Sequence, residues 1–490
     1  SLQQLPQTAS PKETAQASLK EVAQFALKSA TTPAKRSEIA TTITQTVISS
    51  TTKEALPKTL PSIANDMIAA APKEGKAEVA KSIITTVAKE SPTNLPTTLQ
   101  SMVKSAPKEV AQALQQIVQS APPKEAAVLL KEMPMTTIKE MAKAAPRHTA
   151  QFTMKSAASS KRAEIASAIT QTVIDSTPKE IASKTIPVTV KELISSSPPE
   201  SKAEVAKSAI ITLANESTPA NVSNTLQSMA KDTPGTLNST FQQMAAPTNT
   251  LSPATAQLST LTTMMQSPSP QLAQLGANIA TSFTILSSAS GNSQNALSFT
   301  NNMISLADSG AINSISSIAS SISSIASGGS PTQLNLLGSL LNTLSQTGSA
   351  PLMESITTLL STLKQQLSPE DFSNLLSKLD TFFKGLDDVK VDLNKLVKVL
   401  NRILGGQLDV QSLNLDKLLD LLGPLLNEEK IKTDQAKKEA KFNIEKRLEE
   451  IDKNLAILHR YRLSHEEERE KEQKDYEERR RRKNRQLVGG

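Results

Sequence analysis

The sequence predicts an all-α fold: a duplicated array of short helices (α-hairpins or a bundle), a low-charge helical middle and a long, charged coiled-coil helix at the C-terminus. Three observations carry this. Lys35–Ser91 aligns without gaps on Lys161–Ser217, an offset of 126, with 33 of 57 positions identical. Helix-start signals recur about every 15 to 20 residues through the first half. Between Glu428 and Gln486 there is no Pro and no Gly. The expected organisation is a first repeat copy over 1–120 and a second over 121–240. An uncharged linker and helices follow over 241–350, Leu-rich amphipathic helices over 351–427 and the charged helix over 428–490.

The start signals have a mechanism. In Ser10-Pro11-Lys12-Glu13 and Thr177-Pro178-Lys179-Glu180, the hydroxyl can cap free N–H groups, Pro fits the first turn, and Glu closes a capping box. Where Ala precedes Pro, as in Ala71-Pro72-Lys73-Glu74, the cap is weaker. The resulting helices have about three turns, too few to be stable alone, so they must stack. A second beat, Glu then an apolar residue then Ala, runs from Glu21-Val22-Ala23 to Glu204-Val205-Ala206. Both copies carry Lys-Ala-Glu-Val-Ala-Lys-Ser, at Lys76–Ser82 and Lys202–Ser208.

Composition sets how such helices can pack. Of 490 residues, 38% are hydrophobic and 2% aromatic, with no Trp and no Cys. Globular chains run at roughly 45–50% apolar. Ala, Leu, Ile and Val must therefore form the contacts, which favours close helix–helix approach over one deep core. The lack of Cys removes disulfides, thiolate metal sites and a Cys nucleophile. No apolar run approaches the roughly 18 residues of a spanning helix, so no transmembrane segment is expected.

From Thr233 to Met353, 121 residues, the only charged side chain is Asp308. Pro247, Pro253, Pro268 and Pro270 predict a linker up to about residue 272, with packed helices after it. Ile312, Ile315, Ile318, Ile322 and Ile325 form one narrow seam, and Leu334, Leu337, Leu341 and Leu344 another. So long an uncharged surface predicts burial within an assembly.

Beyond Pro351 the seams become leucine-rich. Ile356, Leu359, Leu363 and Leu367 end at the helix start Ser368-Pro369-Glu370-Asp371. Phe372, Leu375, Leu379, Phe382 and Leu386 follow, then Leu393, Leu396, Leu400 and Ile403, then a short helix over Leu415 to Leu422. These helices suit partner packing better than a lipid surface, because their polar faces mix Asp and Lys and lack Trp. In the last segment, Ile444, Leu448, Ile451, Leu455 and Leu458 step by 4, 3, 4 and 3. That is a coiled-coil seam, expected to pair with a second helix in a homo-oligomer or larger assembly.

No catalytic, cofactor or metal-binding constellation is predicted. His459 and His465 are six apart, the wrong step for one metal, and His148 stands alone. Neither a nucleophile elbow nor a Gly-rich phosphate loop occurs. Asp387-Asp388 and Glu449-Glu450 read as helix-surface charge. The binding candidate is Arg479, Arg480, Arg481, Arg482, Lys483 and Arg485. Such a cluster can neutralise phosphates and release counterions, binding nucleic acid or an acidic protein. The default alternative is pairing with Glu466, Glu467, Glu468, Glu477 and Glu478, since 428–486 holds 19 basic and 16 acidic residues.

The C-terminal Leu487-Val488-Gly489-Gly490 resembles the Leu/Ile/Met-x-Gly-Gly product end left by adenovirus-like cysteine proteases, which mature virion proteins of large DNA viruses. The side-chain-free Gly489 and Gly490 suit a narrow protease cleft. Ile403-Leu404-Gly405-Gly406 matches the same pattern internally. With Ser1 in place of an initiator Met, the resemblance implies a processed precursor and an internal virion component: cement, scaffold or core lining. The sequence thus predicts a non-enzymatic structural protein that bridges partners through helical repeats and a coiled-coil tail. The alternatives are a secreted, matrix-forming helical protein and a nucleic-acid packaging factor acting through the basic tail.

Overall fold

The computed structural model describes residues 21–120, 123–245, 257–289, 293–308, 310–326, 329–404, 419, 423 and 433–488. Among these, every regular element is a helix. The start signal at Ser10, residues 246–256 of the expected linker and the expected helix over Leu415 to Leu422 lie outside the described residues, but for Leu419 of that helix. The chain divides into two compact units, 1–248 and 249–490.

In the first unit, α1 (Pro33–Ser50), α2 (Leu56–Ala70), α3 (Lys76–Glu90), α4 (Leu95–Ser105) and α5 (Pro107–Ser120) alternate between two rows. α6 (Pro123–Lys131) follows, then α7 (Met135–Ala144), α8 (Pro146–Ser156), α9 (Ser159–Ser176), α10 (Lys179–Ser196), α11 (Lys202–Glu216), α12 (Pro219–Asp232) and α13 (Pro234–Ala245). One row runs α1, α3, α5, α8, α10, α12; the other runs α2, α4, α7, α9, α11, α13. α6 belongs to neither and lies against α5 and α8.

The rows form because each helix buries a stripe of small apolar side chains and cannot do so alone. α11, for example, buries Val205, Ala206, Ala209, Ile210 and Leu213. Each large side chain removed from water contributes about 1.5–3 kcal/mol, enough to stabilise helices of this length only through their neighbours. Hydroxyls join neighbours within a row: Ser37 Oγ meets Ser82 Oγ at 2.5 Å, and Ser167 Oγ meets Thr212 Oγ1 at 2.7 Å.

The sequence copies produce matching elements. α9 spans the 126-residue offset of α1, and α11 that of α3; α3 and α11 each follow an equivalent short 3₁₀ turn, Lys73–Gly75 and Pro199–Ser201. Arg36 Nε donates to the Ala30 carbonyl at 3.1 Å, and Arg162 Nε to the Met154 carbonyl at 3.2 Å. A Cβ at Gly75 would stand 3.0 Å from Arg36 Cδ; the equivalent Ser201 instead accepts from Arg162 Nη1 at 2.7 Å.

The second unit holds α14 (Leu258–Met265), α15 (Pro270–Ser288), α16 (Ser293–Asp308), α17 (Ile312–Ala326), α18 (Pro331–Gln346), α19 (Ala350–Lys364), α20 (Pro369–Val389), α21 (Leu393–Leu404) and α22 (Asp434–Val488). The alternation continues: α15, α17, α19 and α21 pack in one row, α16, α18 and α20 in the other, and α22 packs on α21 and α20. The linker expected up to residue 272 is corrected here. α14 forms inside it and buries Leu258, Leu261, Met264 and Met265 against α15. The uncharged Ser/Thr surface also turns inward in part, with Thr281, Ser282, Thr284 and Thr300 buried.

The start signals vary in how they close. Ser368 caps its helix as the sequence predicts, and Thr32, Thr218, Ser330 and Ser349 cap theirs in the same way, Ser330 with Gln333 in a full capping box. At Thr177-Pro178 no side-chain cap bond forms, because the helix begins one residue later, with Pro178 in the cap position. Two glycines test the row packing. A Cβ at Gly276 in α15 would stand 2.7 Å from Met264 Cβ and 3.0 Å from the Met265 amide of α14, whereas one at Gly235 meets nothing within 4 Å. Gly276→Ala should cost about 1–3 kcal/mol by overpacking, while Gly235→Ala should be neutral or stabilise by up to ~1 kcal/mol through helix propensity. Denaturant unfolding of the two variants checks this.

Candidate interaction site on the C-terminal helix

The last helix begins with a cap: the Ala436 amide donates to Thr433 Oγ1 at 3.1 Å. Its buried stripe is Ala440, Ile444, Leu448 and Leu455. Ile451 is half-buried, and Leu458 follows on the helical backbone. Helices of the same chain lie against this stripe. α21 presents buried Leu396, Val399 and Leu400, and α20 contributes a further contact. Within the chain, the part of the seam from Ile444 to Leu455 lies against a helix fifty residues upstream in sequence separation. Periodicity demands cover for an apolar stripe and is satisfied equally by a neighbour in the same chain.

Charge fixes the register of this contact. Lys395 Nζ reaches Glu445 at 3.3 Å and Glu449 at 2.8 Å, and Lys398 Nζ reaches Asp452 at 3.0 Å. Arg402 also pairs with Asp452, and the Asp392 amide donates to Glu445 Oε1 at 3.1 Å. Pairing numbers rise together along both helices, so α21 and α22 run parallel. The hydrogen bond from Lys395 holds the Glu449 carboxyl below its ordinary range, and that bond with Glu449 raises Lys395 in turn. For Asp452, burial pushes upward, but hydrogen bonds from Lys398 and Arg402 outweigh it and the carboxyl is lowered.

Sequence reasoning named the seam and missed these cations. A signal existed: Lys395, Lys398 and Arg402 step by 3 and 4, and Glu445, Glu449 and Asp452 step by 4 and 3. Two helical faces of opposite charge at matching steps are a pairing signature.

Most of α22 lies beyond this contact. The helix has 55 residues against 12 in α21 and 21 in α20. At about 1.5 Å per residue these lengths are roughly 82, 18 and 32 Å. Arg479, Arg480, Arg481, Arg482, Lys483 and Arg485 all lie on the excess helical backbone, as does Leu487. Gly489 and Gly490, and the internal Gly405-Gly406, lie outside the described residues.

Elsewhere, charged side chains act between helices. Glu192 of α10 accepts from Gln151 at 2.7 Å and from Arg147 and Ser196 at 3.1 Å each. Burial raises the Glu192 carboxyl, but these three bonds prevail and it stays lowered. His148 beside them is lowered by burial and then by the Arg147 and Lys108 charges, which favours the neutral ring. Asp380, buried, accepts from Ser339 and Thr343 at 2.8 Å each and pairs with Lys384 at 2.7 Å. Among the described residues no group of His, Asp and Glu is arranged to hold a metal, and no helix is long and apolar enough to cross a membrane. No family model, curated protein or solved structure matches this chain.

The lowered carboxyls set a pH dependence. A carboxyl depressed on docking adds stability above its undocked pKa, about 3.9 for Asp, and that stability is lost as pH falls through the docked value. The α21–α22 contact should therefore hold from neutral pH to about pH 5 and loosen at lower pH. Faster amide exchange over 440–456 at pH 3 than at pH 6, after correction for intrinsic rates, is the expected reading. Asp452→Asn should weaken docking by under about 1 kcal/mol, since its partners are half-exposed and screened. Leu448→Asp, at a fully buried position, should cost about 3 kcal/mol or more and release the same amides without changing the sedimentation mass.

Proposed function

We propose that this chain is a non-enzymatic assembly protein in which stacked helix pairs form a contact platform and the distal part of α22 engages a second partner. The observation that carries this reading is the mismatch in length between α22 and the two helices that cover its base. A helix outside a core usually persists through partner contact or a dense net of charge pairs, and this one carries both signs of charge in near balance until its basic end. In the platform, neighbours within a row are joined by hydrogen bonds between residues 36 to 46 apart in sequence. Such nearest-neighbour stacking builds extended surface rather than one reaction centre. On this reading the first unit is a duplicated α-hairpin array and the second an array of unlike sequence built the same way.

The partner proposed for Arg479, Arg480, Arg481, Arg482, Lys483 and Arg485 is a polyanion, a nucleic acid before an acidic protein, because six cations in seven residues meet closely spaced phosphates efficiently. The setting proposed on the Leu487 to Gly490 resemblance is a virion interior. A reporter fused after Gly490 should be released by an adenovirus-type protease; an intact fusion removes that setting.

The main test is duplex binding at several salt concentrations. Replacing Arg479, Arg480, Arg481 and Arg482 with Gln should lower the affinity at 0.1 M salt and flatten the slope of log K against log salt by about 3 to 4. An unchanged slope, or no binding by the parent chain, refutes the polyanion partner.

A further inference from the structure

The helix that stands outside the rows leaves a cleft beside it. Of about 420 Å³, it lies between α6, α7, the end of α8 and the start of α9. Its wall is apolar: Leu130, Met133, Met135, Ile138 and Ile165 line it. Unbranched thioethers such as those of Met133 and Met135 adapt to a flexible ligand. The volume falls in the range of small-molecule sites.

Polar features also line the cleft. Ser156, 5% exposed, is one of the lining residues, and its buried hydroxyl oxygen has no hydrogen-bond partner. A buried unpaired hydroxyl is costly, and apolar lining offers it nothing. Next to it, α9 starts at cap residue Ala158, with no side chain capping the first-turn amides. An 18-residue helix concentrates partial positive charge at that end. Lys131 and Lys161 also line the cleft, against one carboxylate, Glu164.

The sequence copy supplies the contrast. At the 126-residue offset, Ala158 corresponds to Thr32, whose hydroxyl caps α1 by accepting from the Lys35 amide at 3.3 Å. Ser156 corresponds to Ala30, which is buried and has no hydroxyl to satisfy. One copy closes its own helix end; the other leaves the end open, adds a hydroxyl beside it and faces an apolar cleft.

We propose that this cleft binds an anionic amphiphile, an aliphatic chain bearing a carboxylate. The head group accepts from the α9 amides and the Ser156 hydroxyl and is neutralised by Lys161 and Lys131. The chain lies along Leu130, Met133, Met135 and Ile138. This site is independent of the assembly role of α22.

Decanoate, below its micellar concentration, is the probe, with decyltrimethylammonium as the cationic control. Calorimetry should show one saturable decanoate site per chain, with shifts of the Met133 and Met135 methyl resonances, and at least tenfold weaker binding of the cation. Ala157→Phe, filling the cleft from its wall, should reduce decanoate affinity tenfold or more. Ala158→Thr restores the cap that Thr32 provides, so it should raise the melting temperature while weakening decanoate several-fold. Loss of fold cannot produce those opposite signs. The proposal is overturned by no saturable binding, by equal binding of the cation, or by an Ala158→Thr variant that binds as the parent does.

Discussion

The fold depends on helices approaching closely with few large side chains, and that is eased where a buried hydroxyl is satisfied within its own helix. Thr44 donates to the Ala40 carbonyl at 2.7 Å, Thr281 to Ala277 at 2.7 Å, Thr284 to Ala280 at 2.8 Å and Thr357 to Met353 at 2.8 Å. Each is one turn back within its own helix, so the hydroxyl enters the core already paired. What remains facing the neighbour is a methyl group or a small oxygen. Helices can then come near enough for Ser208 Oγ to reach the Ala163 carbonyl at 2.7 Å, across a row. Bulkier side chains would push neighbours in a row apart and break these contacts.

That constraint explains why two compositionally unlike units share one packing scheme. The first unit carries Lys and Glu on its exposed positions, whereas α14 to α18 contain Asp308 as their only charged residue. Row packing uses neither. It uses the alternation of small apolar and hydroxyl side chains, which both halves possess. Charge enters where a row needs a fixed register, as with Glu192 between α8 and α10, Asp380 between α18 and α20, and Asp452 between α21 and α22.

The helices were readable in the sequence because their start chemistry is local. Capping by Ser330, Ser349 and Ser368 depends on residues within three positions. The seams were readable too: Ile315, Ile318, Ile322 and Ile325 are buried, although Ile312, in the first turn, remains 39% exposed. What was not readable is which face covers which. The stripe through Ile444, Leu448 and Leu455 demanded a cover without naming it, and the answer lay in the matching charge steps of α21. Prolines and Ser/Thr content hid α14, whose apolar residues are few but converge on Gly276. Nothing local marks α6 as standing outside the alternation, since its own sequence is an ordinary amphipathic one.

The position of α6 has a consequence for the duplication. α9 is the eighth helix after α1, and because one of the intervening helices is outside the rows, the step between copies is effectively odd. α1 and α3 therefore lie in one row, while their counterparts α9 and α11 lie in the other. Charged residues kept at exposed positions, such as Lys53, Glu54 and Lys58 with Lys179, Glu180 and Lys184, are thus presented from opposite rows. Several buried positions between the copies have changed, as Leu56 to Ala182 and Ile83 to Ala209. Packing alone would favour the reverse, a kept core and a drifting surface. An even step would have stacked both charged faces in one row as a longer single surface. An odd step instead sets the two like-charged faces on different rows, so the duplication multiplies the charged surface without extending any single row.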